Sequence, residues 1–274
     1  MPTSTTDPGH ASSTVAIIGA GRLGTALARA LRAADVDVLG PLGRGEAGVA
    51  APTSSAAATV AGGWTADAVL LCVPDGEIPA AAAAVHGRAR FVGHTSGATP
   101  LTALEPARSE AFGLHPLQTF AGGEGSEAFD GAGCAIAGAT PAALETARQL
   151  AERVAMRPIE ISDDDRAAYH AAASIASNFL VTLQSAAEEL AAGAGLEPAD
   201  ARALLAPLVR GTVDNWAARG PRDALTGPVA RGDDATVERQ RRAVEEHAPH
   251  LLTLFDELVT CTRALAGERE AVAA

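Results

Sequence analysis

Short apolar runs separated by glycine-rich or polar turns recur through the first part of the chain. Thr14-Val15-Ala16-Ile17-Ile18 is continuously apolar, the pattern of a strand covered on both faces. A glycine turn follows it, and Gly24 to Ala33 reads as an Ala/Leu-rich helix. Asp37-Val38-Leu39 is a second short strand. Pro41 to Gly63 is rich in Gly, Ala, Ser and Thr, with one helix around Ala47 to Ala51 or Ala56 to Val60. Ala66 to Val73 is the clearest buried strand, punctuated by Pro74-Asp75-Gly76 before a helix from Ile78 to Val85. Arg90 to Gly93 and Ala111 to Leu114 predict two more strands, each closing on a histidine. Cys134 to Ala137 predicts another, followed by a helix at Pro141, where proline suits the first turn. Arg157 to Ile161 completes an alternation that predicts an α/β fold, a Rossmann-like doubly wound parallel sheet.

After Ile161 the period changes. Ser162-Asp163-Asp164-Asp165 can cap a helix, and its carboxylates favour the helix N-terminus. Only helices are predicted beyond it: Asp164 to Ala192, Pro198 to Arg219, Asp234 to His247 and Pro249 to Leu265. The loop GPRDALTGPVARGDD joins the second to the third. The reading is a tail over 1–13, a Rossmann NADP-binding domain over 14–161 and an all-α domain over 162–274.

Composition narrows the function. The 274 residues are 47% hydrophobic but only 3% aromatic, so the core is built from Ala, Val and Leu, which suits close helix packing. The net charge of −12 opposes binding to nucleic acid or to an anionic membrane. There is no lysine, so all 21 cationic residues are arginines and lysine chemistry is excluded. Cys72, Cys134 and Cys261 are far apart and odd in number, which indicates neither a disulfide framework nor a metal site. The first thirteen residues lack the pattern of a signal peptide, and no apolar run approaches the roughly 20 residues of a membrane span. The expectation is a soluble cytoplasmic protein with a small-molecule substrate.

Gly19-Ala20-Gly21-Arg22-Leu23-Gly24 fits G-x-G-x-x-G between a buried strand and a helix. In that context glycines let the backbone turn sharply and approach a pyrophosphate on the helix N-terminus. The alternative is a glycine-rich turn without a ligand. NAD-specific versions place an acid at the tip of the second strand, but here that strand ends in Leu39-Gly40-Pro41 and Glu46 comes too late. Arg44 in the following loop suits a 2′-phosphate, unless it is a solvated cation, so NADP(H) is the expected cofactor. Val73 and Pro74, at the next strand end, complete the expected cofactor-binding set.

Ligands of open α/β sheets bind beyond the strand C-termini, which directs attention to His94-Thr95-Ser96 and to His115-Pro116-Leu117-Gln118-Thr119. Either the two histidines polarise a carbonyl or donate a proton, or each bonds nearby loop backbone. A second cluster, Tyr169 to Asn178, sets His170, Ser174 and Asn178 four residues apart on one helix face. The alternative for it is a polar helix contact. Thr226 and Arg231 in the loop either reach a substrate carboxylate or knit the loop to its neighbours.

Through GAGRLGTALARAL, LLCVPDGEI, HTSG, FGLHPLQTF, DRAAYHAAASIASNFL and ALTGPVARGD the chain resembles two-domain reductases of the 6-phosphogluconate dehydrogenase-like superfamily. It is more specifically similar to predicted oxidoreductases that join a Rossmann-like domain to a helical domain of unknown function. The resemblance implies NADP binding, homodimer formation through the helical domain and an active site in the cleft between domains. It also implies reduction of a ketopantoate-like 2-oxoacid or, as in other members, a cyclic imine such as a pyrroline carboxylate. Ketopantoate reductases carry a lysine on the first C-terminal helix and an asparagine four residues later. Here Ser174 stands at the lysine position and Asn178 matches the asparagine. His170 is then the first candidate proton donor, His115 the second, and a water held by Ser174 and Asn178 the third. Asn178 would fix the carbonyl and Arg231 the carboxylate. An NADP(H)-responsive binding protein without turnover is the expectation from a different class.

Overall fold

The computed structural model describes residues 14–43, 63–123 and 125–273, and the chain divides into two compact units, Met1–Ile175 and Ala176–Ala274. In the first, β1 (Thr14–Ile18), β2 (Asp37–Leu42), β3 (Ala66–Leu71), β4 (Ala89–His94), β5 (Glu110–Pro116), β6 (Gly133–Gly138) and β7 (Arg157–Glu160) form one sheet of order β2-β1-β3-β4-β5-β6-β7. The first five strands are parallel. β6 runs antiparallel to β5, and β7 is parallel to β6, so the wholly parallel sheet expected from the alternation holds for β1 to β5 only. The reversal has a local cause, because the described residues of 117–132 form only the short turn Ser126–Phe129 and no full helix to carry the chain back across the sheet.

The continuous apolar runs reflect cover on both faces. Val15 and Ile17 of β1, with Ala68 and Leu70 of β3, face a core shared with α1 (Arg22–Ala33) and α3 (Pro141–Arg153). Their alternate neighbours Ala16, Ile18, Val69 and Leu71 face a second core with α2 (Ile78–Ala84) and the turn Leu101–Ala107. Alternation at period two thus serves two buried layers, and truncating a fully buried anchor such as Leu27 costs about 2–5 kcal/mol. Pro141 opens α3 as expected, with the Thr140 hydroxyl accepting from the Ala143 amide at 3.1 Å.

The long helix predicted from Asp164 to Ala192 is two helices, α4 (Arg166–Ala176) and α5 (Asn178–Gly193), interrupted at Ser177 (φ −119°, ψ −70°). The division between units falls at the end of α4 rather than at residue 162, because Arg166, Tyr169 and His170 pack on strand ends of the sheet. The second unit continues with α6 (Pro198–Ala224), kinked at Gly220, then α7 (Asp234–His247) and α8 (Leu252–Ala273). Ion pairs tie these helices, Arg202 to Glu188 in bidentate fashion at 2.8 Å and Arg241 to Asp256 at 3.0 Å. Among the described residues of this unit, only Ala201, Val237, Val244 and Ala248 are buried. Phe179, Val181, Leu204, Leu208 and Trp216 are all exposed, Val181 by 69%. Cys134 lies in the sheet core and Cys72 at the end of β3, whereas Cys261 is exposed on α8. Among the described residues no helix is long and apolar enough to cross a membrane.

Candidate functional site

The glycine turn between β1 and α1 is built by contact rather than by composition. Gly19 has φ +111°, and a Cβ on it would stand 2.2 Å from the Cys72 carbonyl oxygen. One on Gly24 would stand 2.0 Å from the Gly19 carbonyl oxygen. Both are required for strand and helix to approach, whereas Gly21 faces open space. Gly21 is also the N-cap of α1 and supplies no side-chain cap, which leaves first-turn amides of a twelve-residue helix available to an anion. A cavity of about 400 Å³ opens there, lined by Gly21, Arg22, Leu23, Val73, Asp75 and Ser96 among others. Exposed Arg22 reaches the Ala121 carbonyl at 3.5 Å, and Pro74 leads into the short turn Asp75–Glu77. Arg44 and Glu46 lie outside the described residues.

Beyond β4, Ser96 organises the next segment. Its hydroxyl donates to Asp75 Oδ2 at 2.9 Å and accepts the amides of Ala98 and Thr99 at 3.2 and 2.9 Å. Its own amide donates to His94 Nδ1 at 3.2 Å. His94 is fully buried, so the expected substrate contact is corrected to an internal support for the Ser96 backbone. Burial and the neighbouring Arg166 guanidinium hold the His94 ring down at about 4. Arg166, itself buried, pairs with Asp163 at 2.5 Å and donates to the Ser96 carbonyl at 3.4 Å. Gly113 makes room for it, since a Cβ there would lie 2.6 Å from Arg166 Nη2.

Gly97 is the meeting point of two imidazoles. A Cβ on it would come within 2.8 Å of both His115 Cε1 and His170 Cδ2, and the two ring centroids are 6.1 Å apart. His115 Nδ1 lies 2.8 Å from the Tyr169 hydroxyl. Burial, then the nearby His170 and Arg166, hold His115 at about 4, and burial pushes the Tyr169 phenol up to about 12. A neutral imidazole beside a protonated phenol is therefore the resting state near neutrality, a pair suited to hydrogen bonding with an uncharged carbonyl or imine.

His115, His170 and Ser96 are thus brought together around Gly97. Gln118 is not part of that group: it is exposed, and its amide donates to the Ala128 carbonyl at 3.2 Å and accepts from the Thr119 amide at 2.8 Å. Ser174 is half-buried on α4. Asn178 opens α5 beyond the break at Ser177, so the single helical face drawn through His170, Ser174 and Asn178 is interrupted. Thr226 and Arg231 are exposed in the second unit. Arg166, Tyr169 and Gly97 were missed as site residues. The signal for Arg166 and Tyr169 was present in their spacing with His170, at i, i+3 and i+4 of one helix.

Residues 1–118 match a family model described as a Rossmann-like domain, and residues 132–262 match one described as a domain of unknown function, DUF2520. No curated protein matches. The fold is similar to that of a candidate NADP oxidoreductase from Bacteroides fragilis, at 19% identity and TM-score 0.72, covering 92% of this chain and 98% of that one. It is also similar to a Thermotoga maritima protein, at 22% identity and TM-score 0.70, covering 93% and 99% of the two chains. A reductive aminase from Aspergillus terreus in complex with NADPH follows, at 17% identity and TM-score 0.59, covering 93% and 98%. The match to the DUF2520 model begins within the sheet, just before β6, and runs into the helical region.

Proposed function

We propose that the protein is an NADPH-dependent reductase of a small 2-oxoacid, with ketopantoate as the first substrate to test. The observation that carries this reading is the Ser96-Gly97 step: Ser96 lines the cavity at the α1 N-terminus, and Gly97 holds the two imidazoles. The residues present fit a dinucleotide. Gly21 leaves open space, the first-turn amides of α1 suit a pyrophosphate, and the β2 tip carries no acid that would bind a ribose 2′-hydroxyl. When bound, NADPH supplies a hydride. Asp75 fixes the Ser96 hydroxyl, His94 and Arg166 fix the Ser96 backbone, and the histidine pair faces the substrate as hydrogen-bond and proton donors.

Cyclic-imine reduction is the second reading. It is favoured by the absence of lysine and by a His115 imidazole that stays neutral, because a protonated imine brings its own proton. Side-by-side NADPH oxidation assays with ketopantoate and a pyrroline carboxylate separate the two, and repetition with NADH tests the cofactor preference expected from Arg44. Tight NADPH binding with no oxidation across oxoacids and imines would instead support a non-catalytic, NADP(H)-responsive protein. We also propose that two copies pair through the helical unit, on the strength of its exposed apolar side chains.

A further inference from the structure

The contact between Tyr169 and His115 has a direction. The rings meet edge to face, with centroids 5.6 Å apart and planes at 89°. The Tyr169 hydroxyl has no other acceptor among the described residues, and a phenol is a better donor than acceptor. Were the ring hydrogen on Nδ1, the half-buried O–H would be left without an acceptor. The hydroxyl therefore donates to Nδ1, and the hydrogen of the neutral ring sits on Nε2, which has no partner among the described residues. The groups facing this ring are His170 and Arg166 from α4, Asp75 from the turn after β3, and His94 from β4.

We propose that Tyr169 is a positioning residue acting through His115: it holds the ring as the Nε2–H tautomer toward a substrate carbonyl oxygen and replaces the proton that His115 gives up. This rests on the reductase reading. The step balances. A bound NADPH would supply the hydride and its electron pair to the carbonyl carbon, ending as NADP⁺, and the π pair of C=O would move onto oxygen. That oxygen takes the Nε2 proton as Nδ1 takes the Tyr169 proton, so C=O becomes CH–OH and Tyr169 becomes a phenolate. After product leaves, water protonates Nε2 and the Nδ1 proton returns to Tyr169. A ring held near 4 does not store a second proton at neutrality, so passing one through is the route open to it. A phenol near 12 remains more acidic than an alcohol, so the transfer runs downhill. The relay delivers a proton without the lysine that this chain lacks.

The test is ring-nitrogen NMR of the full-length, cofactor-free protein labelled at histidine, together with steady-state kinetics. Wild-type His115 is expected as the neutral Nε2–H tautomer, and Tyr169→Phe, which keeps the ring contact, is expected to mix the tautomers. With ketopantoate, Tyr169→Phe should lower kcat by about 10²-fold with little change in KM, and the loss should exceed that for a pyrroline carboxylate at least about tenfold. An Nδ1–H tautomer in the wild type, or equal losses on both substrates, overturns the proposal. If wild-type protein oxidises NADPH with neither substrate, the reductase reading falls and the tautomer alone judges the Tyr169–His115 pair. If Tyr169→Phe does not fold, the wild-type spectrum still decides.

Discussion

Gly97 has no side chain, and that is its contribution. Two imidazoles occupy the space a Cβ would need, so Gly97→Ala must displace His115 or His170. A displacement of about 1 Å at a reacting group can cost on the order of 10²-fold in rate, and we expect a loss of that order with a Tm close to wild type. Unchanged NADPH oxidation by this variant would mean that the two rings do not act together. His94 sets a different expectation. Its folded value near 4 lies below the ordinary 6.5, so between these values the unfolded chain binds the proton and the folded one does not. The associated stability is present above about pH 6.5 and is lost as pH falls toward 4, by up to roughly 3 kcal/mol. Arg166, Asp75 and Asp163 are the charged groups that face it. Calorimetry across this window should show a steep fall in Tm for the wild type and a shallower one for His94→Asn, whose amide oxygen can still accept from Ser96. Equal slopes would assign the acid sensitivity to other groups.

Among the elements, α4 anchors the site, and Arg166 anchors α4. Removing the guanidinium in Arg166→Met breaks its pair with Asp163, whose part-exposed carboxylate still accepts from the Leu101 amide, and leaves the Ser96 carbonyl without that donor, a loss of about 1–3 kcal/mol. Urea denaturation measures it, and a change under about 1 kcal/mol would show that α4 is held by its other contacts. Much of this architecture was legible in sequence. The β1 and β3 runs, the glycine turn and the proline start of α3 are local signals, and each element formed where its pattern lay. The direction of β6 was not legible, because strand polarity depends on how residues 117–132 route the chain rather than on the strand's own composition. The break at Ser177 was equally silent, since SIASNFL carries neither proline nor glycine. The histidines at strand ends could be found from the sheet rule, but whether each faced outward could not. His94 and His115 look alike in sequence, and burial separates them.

At the scale of the whole molecule the two units differ in kind. The sheet unit has two complete cores, whereas residues 176–274 bury only four apolar side chains among those described. Helices with apolar residues on several faces need neighbours on several sides, and a second copy is the neighbour always present as the chain folds. Sedimentation should give twice the chain mass of 27.5 kDa, and Leu208→Glu together with Val181→Glu should abolish pairing. A wild-type monomer at micromolar concentration would end this proposal. The cysteines make the same region convenient to observe. Burial pushes the thiols of Cys72 and Cys134 up to about 12, which keeps them protonated and poorly nucleophilic. Cys261 stands exposed on α8, so a single maleimide dye or spin label attached to the native sequence reports on the helical unit without engineering a site.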